Sequence, residues 1–345
     1  MGKINRLKLL NIISGAKDGG AEKFFERLSL SFENNSFVSQ KVIIKKNYNR
    51  FNYLKKYIDD IDQISFFNFY NPFLSYKINK VFTEFKPDIV LSWMNRASSL
   101  IPHLRFFNEI KIGRLGGYYK IKNYLSCDYL ITNTQDLKDY VCSQGWEKEK
   151  VEFIPNFVGN KNFSKIKTNN EKKIILCFGR FHENKGIEIL IKSMKFLPNY
   201  KLWIIGSGKL YDSYIKLIKK LNLNQTIKIF DWTDNISKFL NVGSVLVCPS
   251  IHEPFGNIII DGWAHKIPVI ASDTGGPSVL IKEGHNGLKF KIGDYKQLAI
   301  KLEKLLKNRK LCSKLATNGF KTFKKYYSED IITQKYINFF RKVLS

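Results

Sequence analysis

The sequence predicts an α/β protein of two Rossmann-like, doubly wound domains that face each other across a cleft. Short apolar runs alternate with segments of helical period along most of the chain, which is typical of parallel strands joined by crossover helices. The chain has 345 residues and is 44% hydrophobic, so it is longer than one core usually spans. Because ligands bind such folds at the carboxyl ends of the strands, the chemistry is expected there.

The first domain is predicted over residues 1–165, with a first helix from about residue 20 to residue 32. Its six predicted strands are LKLLNII (7–13), VSQKVIIK (38–45), QISFFNF (63–69), DIVLSW (88–93), KIGRLG (111–116) and DYLITNT (128–134). The polar stretch 151–173, rich in Asn and Lys, is interpreted as a linker.

The second domain is predicted over residues 166–325, and residues 326–345 are predicted to form a helix that returns to the N-terminal domain. The predicted strands are KIILCFG (173–179), KLWIIG (201–206), IKIFD (227–231), SVLVCPS (244–250) and PVIAS (268–272). Helices are predicted at about 186–196, 209–220, 234–240 and 256–266, and helical pattern fills most of 294–344.

The charge balance indicates an anionic partner. The chain carries 57 Lys and Arg against 30 Asp and Glu, a formal net charge of +27, of which about half is attributed to a general lysine bias. Basic residues alternate with aromatic residues at 41–57 and 102–107. This pattern favours an anionic membrane surface, and single-stranded nucleic acid is the alternative. No motif for recognising a specific nucleic acid is found.

Cysteine spacing and hydropathy indicate in which cellular compartment the protein is expected. The five cysteines are far apart with no paired spacing, which argues against a zinc site and a disulfide framework. No run of about 18 apolar residues is found, so no membrane span or signal peptide is predicted. We therefore expect a cytoplasmic protein that is soluble or peripheral on a membrane.

A glycine-containing turn follows the first strand of the second domain. It reads GRFHENKG, so Gly179 permits close backbone approach while Arg180 and Lys185 present two cations at a strand end. Such a pair can bind a diphosphate and stabilise its charge as it departs, although both cations could equally face solvent. Gly206 belongs to a GSG turn after the next strand, which alone predicts only a tight turn.

The stretch HEPFGN follows the strand SVLVCPS and leads into a predicted helix. The free N–H groups of a first helical turn attract anions, and Gly256 leaves room for a phosphate between Phe255 and Asn257. Glu253 precedes this turn and Asp261 lies about one turn inside the helix, so the two acids can bracket one ligand. Carboxylates are strong acceptors for sugar hydroxyls, and the combination indicates a sugar nucleotide.

These residues resemble the donor-site signature of the retaining GT-B glycosyltransferases of family 4. The resemblance rests on EPFG with a second acid after seven intervening residues, and on GWAHKIPVIASDTGGP, GHNGL, GRFHENKGIEILIKSM, GSG and the N-terminal GGAE. It extends from about residue 10 to residue 325. SWMNRASSLIP and GRLGGYYKIKNYLSCDYLITNT resemble, more narrowly, a bacterial branch associated with lipopolysaccharide core assembly.

The resemblance implies a retaining, metal-independent transfer of a sugar from a nucleotide-sugar donor, a UDP- or GDP-sugar, to a hydroxyl of a lipid-linked or lipopolysaccharide-type glycan. No cofactor is expected. The resemblance implies that the first domain binds the acceptor and the second domain binds the nucleotide-sugar donor, and that the protein is peripheral on the cytoplasmic face of the inner membrane. Arg180 and Lys185 match the pair that binds the donor diphosphate. Glu253 matches the acid beside the donor-sugar hydroxyls, and Asp261 stands where an acid usually holds the ribose.

The resemblance also assigns two turns. Phe255, Gly256 and Asn257 match the turn whose backbone surrounds the sugar and the phosphate. Gly19 and Gly20 match the loop of the first domain that closes over the diphosphate. Gly179 and Gly206 belong to the matching GRFHENKG and GSG segments, and the resemblance assigns them to nucleotide-sugar binding.

Three positions depart from the family pattern. Asp261 replaces the usual glutamate and is shorter by one methylene, and Val279 stands where the family often has a glutamate. The region 111–119 lacks the histidine that many members carry, and His103, the only histidine of the first domain, is interpreted as structural or interfacial. No protein general base is assigned, so the departing phosphate oxygen is expected to take the acceptor proton.

Other functions stay open at this stage. The same fold hosts sugar-nucleotide epimerases and hydrolases, because fold does not determine function. A basic nucleic-acid-binding protein is supported only by charge. A metal-dependent transferase could use Asp60 and Asp62, but these acids precede a strand and are expected to face solvent.

Overall fold

The computed structural model describes residues 6–16, 19–65, 72–102, 106–158, 173–233 and 235–345. The chain divides into two compact units, which are Met1–Gly159 with Glu329–Ser345, and Asn160–Ser328. Each unit contains one parallel sheet with helices, so the predicted class of two Rossmann-like α/β domains is confirmed.

The N-terminal unit contains a seven-stranded sheet whose described pairings are all parallel. The strands are β1 (Leu7–Ile13), β2 (Val38–Lys45), β3 (Ile61–Ile64), β4 (Ile89–Trp93), β5 (Ile110–Leu115), β6 (Tyr129–Thr132) and β7 (Val151–Phe153). Their order is β3-β2-β1-β4-β5-β6-β7, so the strand order reverses between β1 and β4. Open α/β sheets bind ligands beyond the carboxyl ends of strands at such a reversal.

Helices join these strands. They are α1 (Gly20–Glu33), α2 (Tyr48–Leu54), α3 (Pro72–Phe85), α4 (Met94–Ser98) and α5 (Gln135–Ser143). In α1, apolar residues recur at helical spacing, and Phe25, Leu28 and Phe32 are fully buried. Phe25 packs edge-on against Trp93 of β4, with ring centroids 5.2 Å apart. This packing holds α1 on the sheet and positions the loop that precedes it.

The C-terminal unit contains a six-stranded parallel sheet of order β10-β9-β8-β11-β12-β13. The strands are β8 (Ile174–Phe178), β9 (Lys201–Ile205), β10 (Ile227–Phe230), β11 (Val245–Cys248), β12 (Val269–Ser272) and β13 (Leu288–Phe290). The helices are α6 (Ile187–Ser193), α7 (Tyr211–Lys220), α8 (Ser237–Leu240), α9 (Asn257–Ala264), α10 (Gly275–Leu280), α11 (Tyr295–Lys307) and α12 (Arg309–Tyr326). The strand order reverses between β8 and β11.

The last helix, α13 (Glu329–Leu344), packs in the core of the N-terminal unit. The rings of Tyr336 and Phe340 each lie 5.7 Å from the ring of Phe32 in α1. The Tyr336 hydroxyl accepts a hydrogen bond of 2.8 Å from Arg114 Nε of β5. The helical pattern over 294–344 thus corresponds to three helices, of which the last lies in a different unit from the other two.

Three elements differ from the sequence-based expectation. The interpretation of 151–173 as a linker is wrong at its start, because β7 pairs with β6 there. The helix α10 and the strand β13 were not predicted. Strands as short as three residues carry little periodicity, and pairing with a neighbour defines them. Of the predicted strand 63–69, residues 66–69 lie outside the described residues.

In the part of the chain that the structure describes, none of the helices combines the length and apolar character needed to cross a membrane.

Candidate active site

Two loops meet at the strand reversal of the C-terminal sheet. One follows β8 and contains Arg180 and Lys185, and the other follows β11 and contains Glu253. The carbonyl oxygen of Asn184 accepts backbone hydrogen bonds from Ile251, at 2.8 Å, and from His252, at 3.2 Å. Because these are backbone contacts, the two loops have a defined spacing that does not depend on flexible side chains.

Glycines permit this close packing. Gly186 has a left-handed conformation (φ 56°), and a Cβ there would lie 2.2 Å from the carbonyl oxygen of Pro249. A Cβ on Gly206, after β9, would lie 1.9 Å from the carbonyl oxygen of Gly179. The loops after β8, β9 and β11 are therefore packed backbone against backbone, which explains Gly186 and Gly206.

Replacing Gly206 by Ala is expected to destabilise the C-terminal unit by about 3 kcal/mol, because the new methyl group meets a backbone oxygen that cannot rotate away. For a unit of this size the thermal midpoint falls by roughly 6–12 °C. The matched control is Gly179→Ala, whose Cβ would make an ordinary contact of 3.5 Å with Lys185 Cγ. Equal midpoints for the two variants, measured by calorimetry, would contradict this packing.

Lys185 and Glu253 form an ion pair between the two loops. Lys185 Nζ donates to Glu253 Oε2 at 2.5 Å, and the side chains are 26% and 13% exposed. The Ser250 hydroxyl donates to the same carboxylate oxygen at 3.2 Å. The pair is thus partly shielded from water, where a charge-assisted bond is stronger than on the surface.

The pair also determines the charge state of the lysine. Burial by itself lowers the pKa of the Lys185 ammonium, but the Glu253 carboxylate outweighs burial, so the pKa lies above its ordinary value of 10.5. The exposed side chain of Arg180 is close enough for its positive charge to oppose this rise. Lys185 is therefore a charged ammonium bonded to one carboxylate, and Arg180 belongs to the same loop after β8.

The turn after Glu253 is held by a glycine pair that starts α10. The Glu253 carbonyl oxygen accepts a bond of 2.9 Å from the Gly276 N–H. A Cβ on Gly275 would lie 2.5 Å from that carbonyl oxygen, and one on Gly276 would lie 2.1 Å from the Phe255 carbonyl oxygen. The DTGGP segment therefore supports the backbone of the carboxylate-bearing loop, a structural role that sequence reasoning did not assign.

The turn that begins α9 has the expected position. Phe255 is buried, and Gly256 precedes Asn257, the first residue of the helix, in a left-handed conformation (φ 95°) with no side-chain cap. Asp261 is the fifth residue of α9 and is 6% exposed. Its predicted contact with a ribose stays a prediction.

Gly19 and Gly20 belong to the N-terminal unit, where Gly20 begins α1. The carboxylate of Glu22 folds back over this loop and accepts a hydrogen bond of 2.7 Å from the Ala16 N–H. A Cβ on Gly19 would lie 2.3 Å from Glu22 Oε2, so this glycine gives the carboxylate its space. Sequence reasoning assigned no role to Glu22, although it is the acid of the GGAE pattern.

Two further expectations concern metals and His103. Over the described residues, no group of three His, Cys, Asp or Glu side chains is arranged to hold a metal ion. The Asp60 and Asp62 carboxylates instead pair with Lys41, at 2.5 and 3.0 Å. His103 lies outside the described residues.

Comparison with known proteins identifies the family. Residues 159–322 match the family model "Glycosyl transferases group 1". The chain is 31% identical over 332 residues to the lipopolysaccharide core biosynthesis glycosyltransferase LpsE of Rhizobium meliloti (strain 1021), covering 93% of this chain and 95% of LpsE. It is 30% identical to LpsD of the same organism, covering 97% and 98% of the two chains. The chain therefore belongs to the group 1 glycosyl transferases.

Solved structures agree in fold. The Anabaena protein HepE in complex with UDP and glucose has a TM-score of 0.83 at 16% identity, covering 96% of this chain and 99% of HepE. A glycosyltransferase from Rickettsia africae ESF-5 has a TM-score of 0.84 at 20% identity, covering 99% of each chain. The lipopolysaccharide outer core galactosyltransferase WaaB has a TM-score of 0.74 at 17% identity, covering 96% and 98%. The fold is that of the GT-B glycosyltransferases.

Proposed function

We propose that this protein is a retaining glycosyltransferase that moves a sugar from a nucleotide-sugar donor, a UDP- or GDP-sugar, to a hydroxyl of a lipid-linked or lipopolysaccharide-core glycan. The observation that carries the proposal is the pairing of Lys185 with Glu253, beside Arg180, at the strand reversal of the C-terminal sheet. The names of LpsE and LpsD support the acceptor class. The HepE complex with UDP supports a nucleotide donor.

In this proposal Arg180 and Lys185 bind the donor diphosphate. A lysine ammonium has three N–H donors, so Lys185 can keep its bond to Glu253 while it donates to a phosphate oxygen. The second oxygen of the Glu253 carboxylate is then available to accept bonds from donor-sugar hydroxyls. One ion pair thereby links the diphosphate to the sugar that it carries, and Asp261 holds the ribose at the other end of the nucleotide.

The reaction then proceeds on one face of the sugar. The bond between the anomeric carbon and the phosphate oxygen breaks as the bond to the acceptor oxygen forms. The acceptor hydroxyl gives its proton to the departing phosphate oxygen, so no protein base is required. The two cations stabilise the negative charge that develops on the leaving diphosphate.

The experiment that tests the proposal is a thermal-shift screen against UDP-, GDP-, ADP- and CMP-sugars. A donor that binds only the folded protein raises its stability by RT ln(1 + [L]/Kd), which is about 2.7 kcal/mol at a hundredfold excess over Kd. The stabilising donor is then incubated with rough-type lipopolysaccharide core oligosaccharide, and the anomeric configuration of the product is read by NMR. An inverted product, or no stabilisation by any donor, overturns the proposal.

Removal of divalent metal ions is expected to leave the transfer rate unchanged, because Arg180 and Lys185 supply the positive charge that a metal would otherwise provide. The measurement is the initial rate with and without excess chelator. Loss of activity that Mg²⁺ or Mn²⁺ restores would contradict the metal-independent mechanism.

A basic aromatic surface on the N-terminal unit is the proposed membrane contact, and it lies on α2 and the turn that follows. Tyr48 is 76% exposed and Tyr57 is 59% exposed. The neighbouring exposed lysines are Lys46, Lys55 and Lys56. Exposed aromatic rings and lysines together suit the interface of an anionic bilayer, such as the cytoplasmic face of the inner membrane. Of the second predicted segment, 102–107, residues 103–105 lie outside the described residues.

Changing Lys46, Lys55 and Lys56 to Gln is expected to weaken binding to anionic liposomes by about a hundredfold, since each lysine near the surface contributes about 1 kcal/mol. Co-sedimentation with vesicles of graded phosphatidylglycerol content measures this. The control changes an equal charge on the exposed lysines of α7, which are Lys216, Lys219 and Lys220. Equal loss in both variants would indicate that overall charge, and not this surface, binds the membrane.

A further inference from the structure

Three buried side chains lie behind the Glu253 loop. Cys248 ends β11, Ser250 follows it by two residues, and Ser272 ends β12. Ser250 is 1% exposed, and the other two side chains are also buried. Because these groups are shielded from the surface, they affect a bound ligand only through the residues that they contact.

Both protein donors to the Glu253 carboxylate reach the same oxygen. The Ser250 hydroxyl and Lys185 Nζ donate to Oε2, at 3.2 and 2.5 Å. Among the described residues, none donates a hydrogen bond to Oε1. An ionised carboxylate has about four lone-pair sites, two on each oxygen. The two donors fill the sites of Oε2, so the bonds that Glu253 makes to a ligand fall to Oε1.

Two donors also restrict the rotation of the carboxylate. The last torsion of a glutamate side chain has broad minima, so a carboxylate with a single partner can turn about it. Lys185 lies in the loop after β8 and Ser250 lies in the loop after β11, so the two donors come from different loops. Hydrogen bonds prefer the plane of the accepting group, and the two bonds together therefore hold Oε1 in one orientation.

The backbone of Ser250 is anchored to the sheet. Ser272 Oγ donates to the Ser250 carbonyl oxygen and lies 3.5 Å from the Cys248 carbonyl oxygen. β11 and β12 are paired strands, in which Cys248 lies opposite Ala271. A side chain supported by a strand end is positioned more precisely than one on an unsupported loop. The hydroxyl that bonds Glu253 is therefore part of a rigid element.

The thiol of Cys248 sets the direction of the Ser250 hydroxyl. Cys248 Sγ lies 3.6 Å from Ser250 Oγ. The hydroxyl has one proton and an ionised carboxylate can only accept, so that proton goes to Glu253 and the thiol donates to Ser250. Burial raises the pKa of the Cys248 thiol to about 11, and the Glu253 carboxylate adds to the rise, so the thiol keeps its proton at neutral pH. The donor chain runs from Cys248 through Ser250 to Glu253.

We propose that Ser250 and Cys248 are positioning residues that orient the Glu253 carboxylate, so that Oε1 accepts hydrogen bonds from the hydroxyls of the donor sugar. They affect how tightly the sugar is held and how fast it is transferred, and they leave the binding of the diphosphate unchanged. The inference rests on the proposed function and adds to the site two residues that do not touch the substrate. Hydrogen bonds behind a functional side chain hold it in its productive geometry.

Ser250→Ala tests the hydroxyl without adding volume. The probes are the nucleotide-sugar that the thermal-shift screen identifies and the same nucleoside diphosphate without its sugar. The Kd of the nucleotide-sugar is expected to rise about tenfold, because a charge-assisted bond to the sugar depends on the orientation of the carboxylate. The Kd of the nucleoside diphosphate is expected to stay the same. Titration calorimetry measures both affinities.

The comparison of the two ligands separates positioning from a general defect. The loops of Lys185 and Glu253 are bonded to each other through the Asn184 carbonyl oxygen, so a distorted loop weakens both ligands alike. Selective loss of nucleotide-sugar affinity supports the proposal. Unchanged affinity for the nucleotide-sugar, or an equal loss for both ligands, overturns it.

Two variants of Cys248 test the thiol, and they decide the proposal if Ser250→Ala does not fold. Cys248→Ala is expected to lower the rate of transfer to rough-type core oligosaccharide about threefold, since the Ser250 hydroxyl loses a weak donor. Cys248→Ser keeps a donor and is expected to transfer at the wild-type rate. The control is Cys177→Ala, a buried thiol of the neighbouring strand β8, which is expected to leave the rate unchanged. Equal rates in the two Cys248 variants, or an equal loss in the control, overturn the proposal.

The proposed function and this inference fail differently. If no nucleotide-sugar binds the wild-type protein, the proposed function is overturned and this inference falls with it. If a nucleotide-sugar binds the wild-type protein and Ser250→Ala binds it equally well, only this inference is overturned.

Discussion

Replacing Glu253 by Gln is expected to lower the rate of sugar transfer about a hundredfold while the C-terminal unit remains folded. Glutamine keeps the volume of the side chain but loses the charge that pairs with Lys185 at 2.5 Å. It also replaces one acceptor oxygen by a donor, so donor-sugar hydroxyls lose a charge-assisted bond worth about 1.5–3 kcal/mol. Steady-state kinetics with the identified donor measure the change, and circular dichroism checks the fold.

The matched control is Glu183→Gln. Glu183 lies in the same loop as Lys185 but is 56% exposed, and it pairs with Lys209 on the surface, at 2.9 Å. Exposed ion pairs contribute little to folding stability, so this variant is expected to fold normally and to transfer sugar at the wild-type rate. Wild-type activity in Glu253→Gln would exclude the carboxylate from the site. Equal loss in both variants would indicate a general effect on the loop.

Replacing Lys185 by Met is expected to raise the Kd for the nucleoside diphosphate by about 30- to 100-fold, which corresponds to one or two charge-assisted bonds to phosphate. Methionine keeps the apolar stem of the side chain. Titration calorimetry with UDP and GDP measures the affinity. The control is Lys192→Met on α6, where the lysine is 41% exposed and lies 3.6 Å from Glu188. Unchanged affinity in Lys185→Met would contradict the role of this lysine in diphosphate binding.

The same variant also leaves Glu253, 13% exposed, without its cation. Such a shielded carboxylate is expected to cost about 1–3 kcal/mol of folding stability. Adding Glu253→Gln to Lys185→Met is expected to recover part of that loss, because the unpaired charge is then removed. Thermal unfolding of the two single variants and the double variant measures this coupling. Strict additivity would show that the two residues do not interact in solution.

The raised pKa of Lys185 determines the pH window of the ion pair. Because the folded-state pKa lies above 10.5, the contribution of the lysine to stability is complete below the unfolded pKa and is lost as pH rises through the folded pKa. The lysine therefore stays charged at neutral pH. We therefore expect that titration of Lys185 does not change the transfer rate between about pH 6 and pH 9.

Much of the fold follows from local pattern. The strands β1 and β2 are Leu7–Ile13 and Val38–Lys45, with the bounds that the sequence predicts. Both are seven residues or longer and mostly buried, so their apolar pattern is visible in the sequence. β7 and β13 are three residues each, and pairing with β6 and β12 defines them. The local sequence of β7 and β13 does not show which strands they pair with, so these two strands could not be predicted from it.

The candidate site was predicted as a set of residues and not as a set of contacts. Arg180, Lys185 and Glu253 could be chosen because charged residues after parallel strands lie at one edge of a sheet. The contact between Lys185 and Glu253 could not be predicted from the sequence. The two residues are 68 positions apart, and each side chain could have faced solvent. Gly206 was assigned to nucleotide-sugar binding, which stays a prediction, and the structure adds close packing of Gly206 against the Gly179 carbonyl oxygen.

The sequence by itself determined the α/β class, most strand positions and the residue types that a nucleotide-sugar site requires, because hydrophobic period and glycine placement are local properties of the chain. Only the tertiary structure decided that Lys185 and Glu253 are partners, and that Gly275 and Gly276 support the Glu253 loop. These contacts form because the strand order brings particular loops together at one edge of the sheet. Strand order and backbone packing involve residues far apart in the chain, so local sequence pattern does not determine them.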